Sequence, residues 1–239
     1  MKNVSVRNVP SLIMKYFYFL FLFLLPFFAE AQYLEDFPTN SKGVEGPCSS
    51  NTPSSCATLS DFTEVDWTIS GNLQLGLTQI DSYAKTRNNK INISETNGEE
   101  VCWNSPTLDI STAGGIVDLS VDLAWFLYDA QDYIDVKYSI DGGNYTTIQN
   151  VVGSTGHTIG FTSTASNSTG STNVFQSGIN GNITLDISIC TANSNFEELA
   201  TIDNISVPQS TVSVVLPVEL ISFTGKQMED KIILNWLTA

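Results

Sequence analysis

Asp129, Asp132 and Asp135 are the residues of this 239-residue chain whose type and spacing first invite a chemical reading. Two carboxyl groups about 5 to 10 Å apart across a cleft can cleave a glycosidic bond. Here the three alternate with apolar residues and no groove is legible around them, so they read as a solvated strand face beside Asp118 and Asp122. Nucleophilic catalysis finds less support still. Against many serines the chain sets one histidine, His157, and it contains no G-x-S-x-G elbow, no H-E-x-x-H pair and no phosphate-cradling glycine loop. Binding chemistry has a better footing at WFLY (Trp125–Tyr128), where Trp125 keeps the core phase while Phe126 and Tyr128 point the other way. With Asp129 they form a rim where aromatic rings could stack on a sugar, although a protein contact or plain packing explains the pair as well. Trp67 and Trp103, in phase with apolar neighbours, belong to the core.

Four cysteines, Cys48, Cys56, Cys102 and Cys190, suit an oxidising compartment. Three connectivities are open. Cys48 with Cys56 and Cys102 with Cys190 is the favoured pairing, because Cys102 is out of phase with Val101 and Trp103, and Cys190 with Ile187 and Ile189. Both thiols then leave the core side and can meet on an outer face. The spacings lack a C-x-x-C knuckle and His157 sits among Gly, Ser and Thr, which disfavours zinc.

The elements that must position these residues are strands. Val117, Leu119, Val121 and Leu123 alternate with Asp118, Ser120 and Asp122, and Ile134, Val136, Tyr138 and Ile140 alternate with Tyr133, Asp135, Lys137 and Ser139. Each strand thus has one buried and one wet face. Asp141, Gly142 and Gly143 supply the turn that follows. Further strands are expected around Trp67 and Ile69, over Leu73–Ile80, on both sides of an Asn97–Gly98 turn, over Ile183–Ile189 and over Ala200–Val207. Between Ile148 and Ile183 large apolar residues are scarce, which predicts modest strands separated by loops. No segment carries a sustained helical period with caps. The fold class is therefore all-β, an antiparallel jelly-roll-like β-sandwich over residues 32–207.

The chain opens with Lys2, Arg7 and Lys15, the apolar run Tyr16–Phe28, and then Ala29-Glu30-Ala31, the pattern of a secretory signal peptide cleaved before Gln32. The run is shorter than the roughly 20 residues a membrane span needs and contains Pro26. The net charge is −15, and cleavage makes it more negative by removing three basic residues and one acidic residue. Such a surface repels phosphate backbones and excludes a nucleic-acid-binding role through a basic patch. Residues 208–215 read as a linker, and 216–239 as the start of a second, truncated β domain, since its two strands cannot stand alone. Sequons at Asn92, Asn144, Asn167, Asn182 and Asn204 are incidental in a bacterial setting.

YLEDF, DWTIS, NGEEVCWNSPTLDIS, VDLSVDL, DYIDVKYSIDGGNYTTI and IDNISV, in that order, resemble a jelly-roll-like β-sandwich domain of secreted and surface proteins from bacteria with type IX secretion. The tail, LPVELISFTGK with IILNWLTA, resembles the opening of the immunoglobulin- or fibronectin-like segment that usually precedes a C-terminal sorting domain there. The resemblance implies a structural calcium held where the first and last strands meet, with Glu35, Asp36 and Asp203 as its ligands; Asp203, in phase with Ile205 and Val207, would point inward. The functional expectation is a non-catalytic, extracellular adhesion or carbohydrate-binding module, its partner a glycan or surface protein. The alternative is an accessory domain of a secreted hydrolase or nuclease, and a plain spacer is the third reading. Phe126, Tyr128 and Asp129 are the expected binding residues.

Overall fold

The computed structural model describes residues 32–60, 67–153, 155–162, 167–195, 197–208, 210–212, 220–228 and 231–238. The expected signal peptide, residues 1–31, lies outside them. In chain order the strands are β1 (Gln32–Glu35), β2 (Gly43–Cys48), β3 (Cys56–Leu59), β4 (Thr68–Gly71), β5 (Tyr83–Thr86), β6 (Ile91–Ser94) and β7 (Val101–Asn104). They continue with β8 (Leu108–Asp109), β9 (Ile116–Tyr128), β10 (Tyr133–Ile140), β11 (Thr146–Thr147), β12 (Ile159–Gly160), β13 (Ser168–Asn180) and β14 (Thr184–Ala192). Last come β15 (Leu199–Pro208), β16 (Thr211–Val212), β17 (Leu220–Met228) and β18 (Lys231–Thr238).

Two antiparallel sheets form a sandwich. The first runs β13-β9-β15-β6-β5-β2-β3, with β1 pairing the far end of β15; the second runs β11-β10-β14-β7-β4, with β12 on β10 and β8 between β14 and β16. The alternation expected of β9 is present: Val117, Leu119, Val121, Leu123 and Trp125 are buried and their neighbours are not. They meet Ile134, Val136, Ile187 and Ile189 of the second sheet in one core, where Trp67 and Trp103 are fully buried. Trp67 donates its indole N–H to Tyr33 Oη at 3.1 Å and takes the edge of Phe37, which ties the chain's first described strand to the core. The turn after β10 has Asp141 and Gly142 at φ 51° and 70°, and Gly143 N–H closes it on Ile140 O at 2.9 Å, the geometry that right-twisted hairpins favour.

Three elements depart from the sequence reading. Leu73–Gly76 is a helical turn, α1, and not a strand, because Leu73 and Leu77 lie one turn apart and both bury. The serine- and threonine-rich stretch after Asn167 forms β13, a strand of 13 residues. Only Val174 and Ile179 of it are buried, so as the border strand of its sheet it offers almost no apolar period to read. Finally, the expected linker contributes Thr211–Val212, which pairs with Leu108–Asp109. β17 and β18 pair with each other as a separate two-stranded sheet.

Cysteine pairing follows the favoured connectivity, Cys48–Cys56 and Cys102–Cys190. Cys102 and Cys190 face each other directly across β7 and β14, on the side opposite Trp103 and Ile189. That outer face is not wet as expected. The segment after β11 crosses it, and His157 stacks on Tyr133 at 4.0 Å between ring centres and places Nδ1 3.1 Å from the Asp135 carboxylate. Asp135 is only 5% exposed, and Glu100 accepts from Tyr133 Oη at 3.1 Å and from Lys137 Nζ at 2.7 Å.

The two disulfides close loops of very different size, 88 and 8 residues in sequence separation. Under the chain-entropy relation their contributions are about 4.5 and about 2.5 kcal/mol. Replacing Cys102 and Cys190 by alanine is therefore expected to lower urea-unfolding stability by about 2 kcal/mol more than the same change at Cys48 and Cys56; equal losses would contradict that ranking.

Candidate functional site

Two β-bulges shape the outer face of the first sheet. Between the pairs Asp203–Asp122 and Ser206–Ser120, β15 carries one residue more than β9, and Asn204 takes a left-handed φ of 48° there. Asparagine tolerates this conformation better than most side chains. The bulge reverses the strand's phase, so Ile205 and Val207 are buried while Asp203, expected to point inward, faces outward with Thr201. A second bulge lies between Trp125–Gly170 and Tyr128–Ser168, with Leu127 at φ 61°. It turns Tyr128, expected on the outside, fully into the core, where its hydroxyl lies 2.6 Å from Thr191 Oγ1 and burial pushes the phenol's pKa up. Phe126 precedes that bulge and keeps the outward phase, 46% exposed.

Between the bulges a groove of about 330 Å³ opens over β9, β13 and β15. Asp122 stands at its centre. Its Oδ1 accepts from Asn173 Nδ2 at 2.7 Å and its Oδ2 from Asn204 Nδ2 at 2.8 Å, one amide from each flanking strand. These hydrogen bonds, Asn173's first, hold the Asp122 pKa below the usual carboxylate range. Asp203 pairs with Lys90 at 3.0 Å and accepts its neighbour Asn204 N–H at 2.9 Å. Thr201 and Ser171 add hydroxyls, and Phe126 continues the outward row of Asp122 and Ala124 along β9. Such an array of fixed amides, hydroxyls and paired charges can exchange hydrogen bonds with a polyhydroxylated ligand.

Asp129 lies away from this groove, at the end of the sandwich. It accepts from Asn167 N–H at 2.7 Å and from Asn195 Nδ2 at 3.0 Å, binding loops together. Asp132, expected in solvent, is 2% exposed and packs against Glu198, itself buried. Burial foremost, with the Glu198 charge adding to it, pushes the Asp132 pKa up to about 7. Glu35 accepts the Phe37 N–H at 2.9 Å and Asp36 is exposed. The expected calcium ligands Glu35, Asp36 and Asp203 are not brought into one group. Among the described residues the one trio of ligand atoms within 4.8 Å is Glu100 with the disulfide-bonded Cys102 and Cys190.

Sequence alone does not single out Lys90 or Asn173, marks Asn204 only as a sequon, and reads Asp122 as part of a solvated face. One signal was available: Ile202 and Ile205, like Trp125 and Tyr128, are buried residues three apart in strands of period two, the mark of an extra residue.

No protein-family model and no curated protein matches the chain. Among solved structures, the carbohydrate-binding module TmCBM61 in complex with beta-1,4-galactotriose is 14% identical, covering 61% of this chain and 92% of its own, with a TM-score of 0.38. The K2 cleaved adhesin domain of Lys-gingipain is 15% identical over 74% of this chain and 97% of its own, TM-score 0.36. The K3 domain, from Porphyromonas gingivalis w83, is 8% identical over 62% and 96%, TM-score 0.33.

The raised pKa of Asp132 has a stability consequence. Its native form holds a proton that the unfolded chain, with an ordinary carboxyl near 3.8, has already released, so stability is full below that value and falls as pH rises toward 7. The expected slope is roughly 1 kcal/mol per pH unit within this window. Asp132→Asn should flatten it in metal-free chemical denaturation; an unchanged pH profile would remove Asp132 as its source.

Proposed function

We propose that the chain is an exported, non-catalytic binding module that takes a glycan in the groove of the first sheet, within a secreted or cell-surface protein of the type IX kind. The observation that carries the reading is the groove's composition. Both of its carboxylates are already engaged, Asp122 by two amides and Asp203 by Lys90, which leaves the hydroxyls and the amide oxygens to meet a ligand, with Phe126 two residues beyond Ala124 along β9 to cover a sugar face. A general acid needs a raised pKa, and that of Asp122 is lowered. Export is supported by the leader pattern of residues 1–31, by two disulfides and by an acidic surface. No helix among the described residues is long and apolar enough to cross a membrane.

A glycan array probed with the protein, followed by calorimetric titration of the best oligosaccharide, tests this. Asn173→Ala, which frees one side of Asp122 and removes an amide, is expected to weaken binding about tenfold, the scale of one ligand hydrogen bond. Phe126→Ala should cost a similar factor through lost stacking. Binding that ignores both substitutions, or an array with no ligand, would overturn the assignment.

A further inference from the structure

β13 is the border strand of the first sheet, and the other borders are short: β3 and β4 have 4 residues each and β11 has 2, against 13 for β13. Open borders of this length are usually blunted with lysine, proline or inward charge. β13 has none of these. In a chain with net charge −15, no Asp, Glu, Lys or Arg occurs between Asp141 and Asp186, a span that contains the whole strand. Its regular part is Gly170–Gln176, one continuous ladder against Trp125–Leu119 between two irregularities. The backbone carbonyls of Asn173 and Ser177 accept from the side chains Thr172 Oγ1 (3.4 Å) and Gln176 Nε2 (3.1 Å), as carbonyls turned to the open side do. Ser171, Asn173 and Phe175 therefore carry the backbone groups of the border that no neighbouring strand pairs, and all three are exposed.

We infer that β13 is a self-association edge, at which a second copy of this chain adds antiparallel to join two first sheets into one. The occupant follows from symmetry and charge. An antiparallel pair of identical strands is two-fold symmetric, and a centre at Asn173, the midpoint of the regular ladder, sets Ser171 of one copy against Phe175 of the other. Everywhere else two such acidic molecules repel, but along β13 nothing charged is presented. The carboxylates bonded to the strand itself, Asp118 and Asp122, sit one strand back, where Asp118 accepts Gly178 N–H and Asp122 is held by Asn173. Across the joint they would stand three strand spacings apart, about 14 Å, beyond the roughly 8 Å screening length of physiological salt.

Sedimentation velocity of the chain from Gln32 over a concentration series is the test. A monomer–dimer equilibrium is expected, shifted toward dimer by added salt because the remaining repulsion is screened. Ser171→Glu with Phe175→Glu places like charges opposite and should abolish the dimer, whereas Ser171→Lys with Phe175→Glu places opposite charges there and should retain it. Both positions are exposed, so a near-identical circular dichroism melt of the two variants shows that each folds. A monomer at every concentration and salt, or equal dimerisation of the two double variants, would overturn the inference.

Discussion

The phase of β9 constrains the whole molecule. Val117, Leu119, Val121, Leu123 and Trp125 commit one face of it to the core, and in a strand this decides where every other side chain goes. β9 lies between β13 and β15, so its phase passes to both through the register. The outward row Asp118, Ser120 and Asp122 is then set against Asn173 on one side and Asn204 on the other, and the groove results from this alignment. Gly170 shows how tight the arrangement is: a Cβ there would come within 2.5 Å of the Trp125 indole, whose N–H reaches Ser168 Oγ at 3.2 Å.

Much of the sandwich was legible because burial on one face writes a period of two into the sequence. β9, β10, β14 and the pairing of Cys102 with Cys190 follow from that period, and the Asp141–Gly142 turn from residues that tolerate positive φ. What it could not supply falls where the period breaks or where nothing is buried. Asp203 and Tyr128 were assigned to the wrong faces because a bulge adds one residue without changing residue types, and the cost of the left-handed Asn204 or Leu127 leaves little trace in composition. β13 was underestimated for the second reason, since a border strand with one covered face at most can be built of Ser, Thr, Gly and Asn. Asp132 and Asp135 were placed in solvent because the segments that cover them come from distant parts of the chain, the His157 strap and the Glu198 loop.

The treatment of negative charge unifies these features. Asp109, Asp122 and Asp141 have pKa values lowered by hydrogen bonds, with Asp141 accepting three successive backbone N–H groups of Asn182, Ile183 and Thr184. Asp132 is the opposite case, a carboxyl that burial drives toward neutrality. Carboxylates at the surface are thus used as acceptors that fasten turns and neighbouring strands, and the acidic composition does structural work.

The two outer faces of the sandwich are consequently unequal. On the second sheet, the His157 strap, the Cys102–Cys190 disulfide and the Glu100–Lys137 pair occupy the space above the strands and satisfy each other there. A ligand arriving on that side would have to displace a stacked ring pair and a nearly buried carboxylate, each already compensated. On the first sheet the polar groups lie along a concavity with one face open to water, and their mutual hydrogen bonds fix them in place before any ligand arrives. Preorganised groups lose little freedom on binding, so recognition costs least on the face where the bulges have opened a groove and where, among the described residues, no strap lies across it.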